Sequence, residues 1–237
     1  MISINLDHMN IDVQKEMEKT WDTIAESFDR TRKKPWAQCI DFINKLAPSS
    51  TIADLGCGNG RHTISCVKQC KQVIALDISK NLLSIVKEKT GNINNNLELI
   101  HANLINIPLK NESLDAAIYI ASLHNIPYKE KRQKSLMELY RIIKNDGVAL
   151  VTVWSKWQDK FQNSSKNYLN NKYNYEKNDI AIYWKQDKLN VPRFYHLYDK
   201  DEFQKEIESV GFKILKITEE SISIKEKPDN YFAYLKK

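Results

Sequence analysis

The chain has 237 residues, with 36 Lys and Arg against 30 Asp and Glu, a net charge of +6, and 42% hydrophobic residues. That length suits one soluble domain with a substantial core, and the modest positive charge permits a polyanionic partner without demanding one. The best apolar runs, such as "AAIYIASL", are about eight residues long against the ~20 of a spanning helix, so no membrane association and a cytoplasmic location are expected.

Val13, Met17, Trp21, Ile24 and Phe28 recur at helical spacing behind a cap at Asn10 or Asp12. Pro35, in "RTRKKPW", then opens a short helix that ends near Leu46. From there short apolar runs, "TIADL", "QVIALD", "LELIHA", "LDAAIYIA" and "GVALVTVW", alternate with helical patterns, notably Ser79 to Lys89 and Lys129 to Lys144. Strict alternation implies a parallel sheet with helices on both faces. After the helix "KDEFQKEIESVG", "FKILKIT" and "NYFAYLK" add an antiparallel C-terminal edge, so the expected fold is an α/β, Rossmann-like, seven-stranded and mostly parallel sheet. Ser155 to Pro192 has no glycine but seven lysines, seven asparagines and seven aromatic residues, and reads as a lid or insert. The expected organisation is a single domain: a helical segment (1–46), a cofactor-binding core (47–154), the lid (155–192) and a C-terminal helix with a strand pair (193–237).

Cys39, Cys57, Cys66 and Cys70 show no pairing pattern, and reduced thiols are expected. His62, Cys66 and Cys70 fall at i, i+4, i+8, which on a helix sets the outer two about 12 Å apart, too far to share one zinc. No metal site is expected in this chain.

Three of the six glycines stand in "DLGCGNGR", at positions 56, 58 and 60. In a strand-loop-helix unit, glycines allow a tight turn and a close approach of backbone to ligand. A dinucleotide fingerprint needs G-x-G-x-x-G, and position 61 is Arg, which weakens a pyrophosphate reading. Asp54 precedes the loop, and Asp77 ends the next strand, where an acid accepts hydrogen bonds from a ribose diol.

D-x-G-x-G-x-G followed by an acid at the end of strand two resembles the class I methyltransferases that use S-adenosylmethionine. The resemblance implies that Asp54 and the loop Gly56, Cys57, Gly58, Asn59 and Gly60 surround the methionine part of the cofactor, and that Asp77, with Ile78, holds the ribose. Ala102, Asn103 and Leu104, from "HANL", would lie at the adenine, with Asn103 where the class usually has an acid, and Ala121 would lie at the end of strand four.

Further stretches resemble the tRNA methyltransferases that esterify 5-carboxymethyluridine at the wobble position, including the methyltransferase part of animal AlkB-like tRNA hydroxylases. They are Trp21, Ile24, Ala25, Phe28, Thr31, Arg32, Lys34, Pro35 and Trp36 near the start; "SLDAAIYIASLHNI", with His124-Asn125 where relatives have His-His; "KEKRQKSL"; "DIAIYW", with Tyr183 in place of proline; and, most specific, "RFYHLY" at Arg193 to Tyr198. The insert before Arg193 is short relative to animal members.

A carboxylate acceptor is ionised near pH 7, so attack on a sulfonium methyl needs no general base, and the main task is positioning. Arg193 and His196 are expected to orient that carboxylate, with Arg32 and His124 as further candidates. The resemblance also implies two partners. One is the tRNA anticodon stem-loop, met by "RTRKKPW" and the lid. The other is a small zinc-binding activator protein docked on the edge strand near Leu97 to Ala102. The competing readings are a small-molecule methyltransferase acting on a quinone or carboxylic acid, and a non-catalytic RNA-binding or scaffolding relative.

Overall fold

The computed structural model describes residues 6–91, 96–158, 176–221 and 227–237. Helix α1 (Leu6–Thr31) begins ahead of the expected cap and is followed by α2 (Ala37–Ile43). Then come β1 (Thr51–Leu55), α3 (Thr63–Gln69), β2 (Gln72–Asp77), α4 (Lys80–Thr90), β3 (Leu97–His101), β4 (Leu114–Ile120), α5 (Lys129–Ile142) and β5 (Ile143–Trp154). The chain continues through β6 (Asp179–Trp184), β7 (Val191–His196), α6 (Lys200–Glu208), β8 (Lys213–Glu220) and β9 (Asn230–Lys236).

Seven strands form one sheet in the order β3-β2-β1-β4-β5-β9-β8, parallel from β3 to β5, with β9 antiparallel to both of its neighbours. This is the expected architecture. The apolar runs were legible as strands because the central ones are buried on both faces. Ala53, Leu55, Ile74, Leu76, Ala117 and Tyr119 pack with Leu136 and Leu139 of α5 and Phe203 and Ile207 of α6. The alternate positions Ile52, Val73, Ala116 and Ile118 pack with Cys39, Phe42 and Ile43 of α2 and Cys66 and Val67 of α3. Strand β3 pairs only with β2 and is partly exposed along its length, so it forms one edge of the sheet.

The hairpin of β6 and β7 was not expected. It pairs Asp179 with His196 and Trp184 with Val191 as a separate two-stranded sheet. Its β6 comes from the stretch read as a lid and its β7 from the segment read as C-terminal. The rest of that lid, residues 159–175, lies outside the described residues. Strand β7 packs against α1; Trp184 Nε1 donates to Ser27 Oγ at 2.8 Å, and Arg30 pairs with Asp187 at 2.5 Å. The other side of α1 is fastened to the sheet, where Asp22 accepts from the Ser79 hydroxyl (2.6 Å) and the Asn81 N–H (3.0 Å), and Asp29 accepts from Asn59 and Lys89. Helix and hairpin together roof the C-terminal ends of the central strands. Among the described residues no helix is long and apolar enough to cross a membrane.

Candidate active site

Beneath that roof lies a cavity of about 320 Å³, at the switch point between β1 and β4, where open α/β sheets bind ligands. Its first half is built by the glycine loop. Gly56 has φ +70°, and a Cβ there would meet Ser122 Oγ at 2.4 Å, so the loop lies against the turn after β4 only because position 56 has no side chain. Gly58, at φ +56°, lines the cavity, where a Cβ would meet little but the Phe28 ring at 3.5 Å. Its absence leaves a cradle for a ligand. Gly60 lies against Val86 of α4.

Asp77 faces this cradle. Its Oδ2 accepts the Gly58 N–H at 2.8 Å and its Oδ1 the Ser79 N–H at 2.9 Å, and burial, outweighing those bonds, raises its pKa to about 6. Ile78, Leu82, Asn103 and Leu104 continue the wall as an apolar slot with one amide, whose Oδ1 also accepts the Ile105 N–H at 3.1 Å. An acid with spare lone pairs, an apolar slot and a side-chain-free loop fit the ribose, adenine and methionine parts of S-adenosylmethionine. Cys57 and Asn59 also line the cavity. Asn59 Nδ2 is turned to Asp29 (2.7 Å) and the Arg32 carbonyl (2.9 Å), so its amide fastens α1 over the loop.

Asp54, Gly60 and Ala102 are not on the cavity wall. Asp54 is buried beneath the loop, accepting the Thr63 hydroxyl at 2.6 Å, with its pKa raised to about 7 by burial, and it anchors the start of α3. Ala102 donates its N–H to the Asp77 carbonyl at 3.0 Å. Ala121 is on the wall with φ +52°, an uncommon conformation for a residue with a Cβ, held by its N–H bond to Thr152 Oγ1 at 2.9 Å.

The second half lies at the ends of β4, β5 and β9. Arg193, 7% exposed, projects there from β7 with its guanidinium carbon 4.8 Å from the Trp184 ring centroid, 5.1 Å from Tyr195 and 5.8 Å from Trp21. It donates to the Tyr195 hydroxyl, its Nε has no hydrogen-bond partner, and no carboxylate pairs with it among the described residues. Arg32, over Phe28 and Trp184, also lines the cavity. The structure therefore brings two guanidinium groups to this end of the cavity, Arg193 buried among aromatic rings and Arg32 exposed at the edge of the Trp184 and Phe28 rings.

His196 and His124 are not in the cavity, and both expectations need correcting. Side chains alternate along a strand, so with Arg193 and Tyr195 facing the cavity, His196 faces away. Its Nδ1 lies 2.6 Å from Asp179 and its Nε2 3.0 Å from Glu202. Beside it the fully buried Arg132 holds Glu176 through two bonds of 3.0 and 2.8 Å and contacts Glu206 at 3.3 Å. Glu176, Asp179 and His196 have ligand atoms within 4.8 Å of one another. With both ring nitrogens and both Glu176 oxygens already bonded, the group is an ion-pair strut joining the hairpin to α5 and α6. His124 is buried behind the cavity wall, accepting the Trp154 N–H at Nδ1 (3.0 Å) and packed on the Trp154 and Tyr195 rings.

Burial lowers the His196 pKa, and Asp179 and Glu202 raise it by more, so the net shift is upward. The stability this adds is complete below the ordinary value near 6.5 and is lost as pH rises through the raised one. Replacing His196 with Gln should therefore cost about 3 kcal/mol at pH 6 and clearly less at pH 9 by chemical denaturation, with cofactor affinity retained. Loss of cofactor binding with stability intact would put His196 back in the site.

Sequence reasoning passed over several wall residues. Tyr195 is one of them, although its place two residues from Arg193 on a strand gives them one face. Trp154, Gln158, Asn125 and Asn230 also line the wall, and only assembly of β4, β5 and β9 brings them together. His62 has a structural role: its Nε2 accepts the Trp36 N–H at 3.1 Å, and burial lowers its pKa to about 3, keeping it a neutral acceptor.

Residues 53–151 match a family model described as a methyltransferase domain. Those residues form a methyltransferase domain, and the strand order is that of the class I fold. The chain is 36% identical over 148 residues, 62% of its length, to the tRNA (carboxymethyluridine(34)-5-O)-methyltransferase alkbh8 of Xenopus tropicalis, and 35% identical over 146 residues, also 62%, to a tRNA (carboxymethyluridine(34)-5-O)-methyltransferase of Arabidopsis thaliana. The matches span only 22% and 34% of those two proteins. Among solved structures, a putative methyltransferase in complex with the Haloferax volcanii Trm112 methyltransferase activator superposes with a TM-score of 0.69 at 12% identity, covering 93% of this chain and 96% of that one. The domain class uses S-adenosylmethionine, in agreement with the cradle, acid and slot described above.

Proposed function

We propose that the protein methylates the carboxylate of 5-carboxymethyluridine at the tRNA wobble position, using S-adenosylmethionine. The observation that carries this reading is the buried Arg193 cation at the acceptor end of the cavity, with an unused Nε and no carboxylate of the described chain beside it. A buried charge without a partner is costly, and an anionic acceptor supplies what is missing. The names of the two relatives support the choice of acceptor.

Bound S-adenosylmethionine supplies an electrophilic methyl on a sulfonium. The chain's own residues do the rest. Gly58 and Asp77 hold the cofactor. Arg193 binds the acceptor carboxylate and, with Arg32, orients it, while the aromatic rings around Arg193 exclude water, which strips the nucleophile of hydration. No residue has to remove a proton, because the acceptor is already ionised.

The anticodon stem-loop is read as the macromolecular substrate, with the exposed Lys33 and Lys34, which follow Arg32 in the chain, meeting phosphate. A small zinc-binding activator is read as a strand added to the open β3 edge, and the Haloferax complex supports a partner of that kind. A cytoplasmic setting suits the four buried free cysteines. The test is incubation with S-adenosylmethionine and tRNA carrying 5-carboxymethyluridine, with and without the activator from the same organism, then nucleoside mass spectrometry. A methyl ester at the wobble uridine is expected. Intact cofactor binding without product in either mixture would favour the small-molecule or non-catalytic reading.

A further inference from the structure

A second unmet hydrogen bond lies in the wall of the acceptor half. Gln158 follows the end of β5, is 2% exposed and lines the cavity. Its amide has only one orientation open to it. Nε2 donates to the backbone carbonyl of Asp229 at 2.6 Å, and a carbonyl accepts but cannot donate, so the NH₂ must be on that side. The Oε1 left over is buried and has no hydrogen-bond partner among the described residues. The side chain is also held in place. The Ser155 N–H donates to the same Asp229 carbonyl at 2.9 Å, and the Gln158 N–H donates to the Ser155 carbonyl at 3.4 Å, so the turn after β5 is tied to the start of β9.

Around this acceptor the wall is suited to a planar ring. Trp154 and Tyr195 are stacked at 4.6 Å with an interplanar angle of 4°, and both line the cavity. Asn230, the register partner of Trp154 across β5 and β9, brings a second amide to the same wall. Tyr195 also bears the hydroxyl that receives the Arg193 bond. One side of a ring held here would thus lie toward the guanidinium, and another toward a lone oxygen that can only accept.

Resting on the carboxyl methyltransferase reading, we propose that Gln158 Oε1 accepts the imide N3–H of the acceptor's uracil ring, so that this residue selects uracil over cytosine. A uracil bearing a carboxymethyl arm at C5 has the anion for Arg193 on one edge and the N3–H donor on another. Cytosine has a bare acceptor nitrogen at position 3 and would set lone pair against lone pair. A polar group left unpaired in a closed site penalises the wrong ligand more than a missing apolar contact does. Gln158 is thus a specificity-determining residue, and nothing in the methyl transfer itself requires it.

The test uses the full chain with its activator, S-adenosylmethionine and three anticodon stem-loop RNAs that carry 5-carboxymethyluridine, its N3-methyl derivative or 5-carboxymethylcytidine at the wobble position. For the unaltered protein, kcat/KM on the second and third RNAs should be lower than on the first by about 100-fold or more. Gln158→Met should lower kcat/KM for the uridine by at least about tenfold and bring uridine and cytidine to within roughly threefold of each other, with cofactor affinity unchanged. Equal methylation of uridine and cytidine by the unaltered protein would overturn the proposal and leave the carboxyl methyltransferase reading standing. Undiminished discrimination in Gln158→Met would also overturn it. No methylation of any of the three RNAs by a protein that binds cofactor would instead remove the functional reading, and the proposal with it.

Discussion

Replacing Arg193 with Met should nearly abolish methyl transfer while leaving the fold as stable as before, or more so. The guanidinium is 7% exposed, lies over three aromatic rings and has no carboxylate beside it among the described residues. Burial lowers its pKa, and the nearby Arg32 charge lowers it further. Ring contacts contribute about 0.5–2 kcal/mol each to such a cation, against a desolvation cost of several kcal/mol. Methionine fills the slot between aromatic rings without a charge to desolvate, so the unfolding free energy should stay level or rise by roughly 1–3 kcal/mol. Turnover should move the other way. The acceptor carboxylate loses its buried cation, and truncating one side of such a pair costs about 2–5 kcal/mol, or on the order of 1000-fold in kcat/KM. Lysine should not rescue, because an ammonium offers neither the planar stack nor the two-pronged grip. Chemical denaturation, cofactor titration and single-turnover rates on the modified RNA separate the cases. A large loss of stability, or loss of cofactor binding equal to the loss of turnover, would make Arg193 a strut or a cofactor ligand.

The contrast between Arg193 and His196 also shows where the sequence stops being informative. Both lie in the most distinctive short motif, and four residues of context suggested one shared role. Treated as a strand, the same motif separates them, since positions 193 and 195 share one face and 196 takes the other. The strand was hidden because "DIAIYW" and "VPRFYH" mix polar, aromatic and proline residues, whereas β1, β2 and β4 are continuous apolar runs buried on both faces. The cofactor half of the cavity was legible because its parts are local: Gly56 to Asn59 and Asp77 span two strands and one loop. The acceptor half was not, because Arg32, Asn125, Gln158, Arg193 and Asn230 come from five separate places along the chain. Even locally, residue type alone misplaced Asp54, an acid two residues before the loop's first glycine whose carboxylate lies under the loop and holds Thr63.

Asp77→Asn should weaken cofactor binding by about 100-fold or more, and in the unaltered protein the same carboxylate should make that binding pH-dependent. Asp77 accepts the Gly58 N–H at one oxygen and the Ser79 N–H at the other, with the Ile78 N–H also on the carboxylate, and lone pairs remain for the ribose hydroxyls. Hydrogen bonds to a charged acceptor contribute about 1.5–3 kcal/mol each, so losing two accounts for the expected drop. Asparagine also turns an NH₂ toward the Gly58 or Ser79 N–H, donor against donor, which disturbs the cradle itself. The carboxylate is the form that accepts from the diol, and burial raises its pKa in the free protein to about 6. Affinity should therefore be flat above about pH 7 and fall by up to tenfold per unit below 6. Stability without cofactor runs in the opposite direction. A carboxylate with a raised folded pKa binds protons more readily in the native state, so the empty fold gains stability as pH falls from about 7 toward the unfolded value near 4. Asp54, raised to about 7 by burial, adds to the same trend. Melting curves at pH 5.5 and pH 8, with and without S-adenosylhomocysteine, should show the cofactor-induced gain in Tm shrinking at the lower pH. An equal gain at both values would mean that Asp77 does not carry the ribose contact.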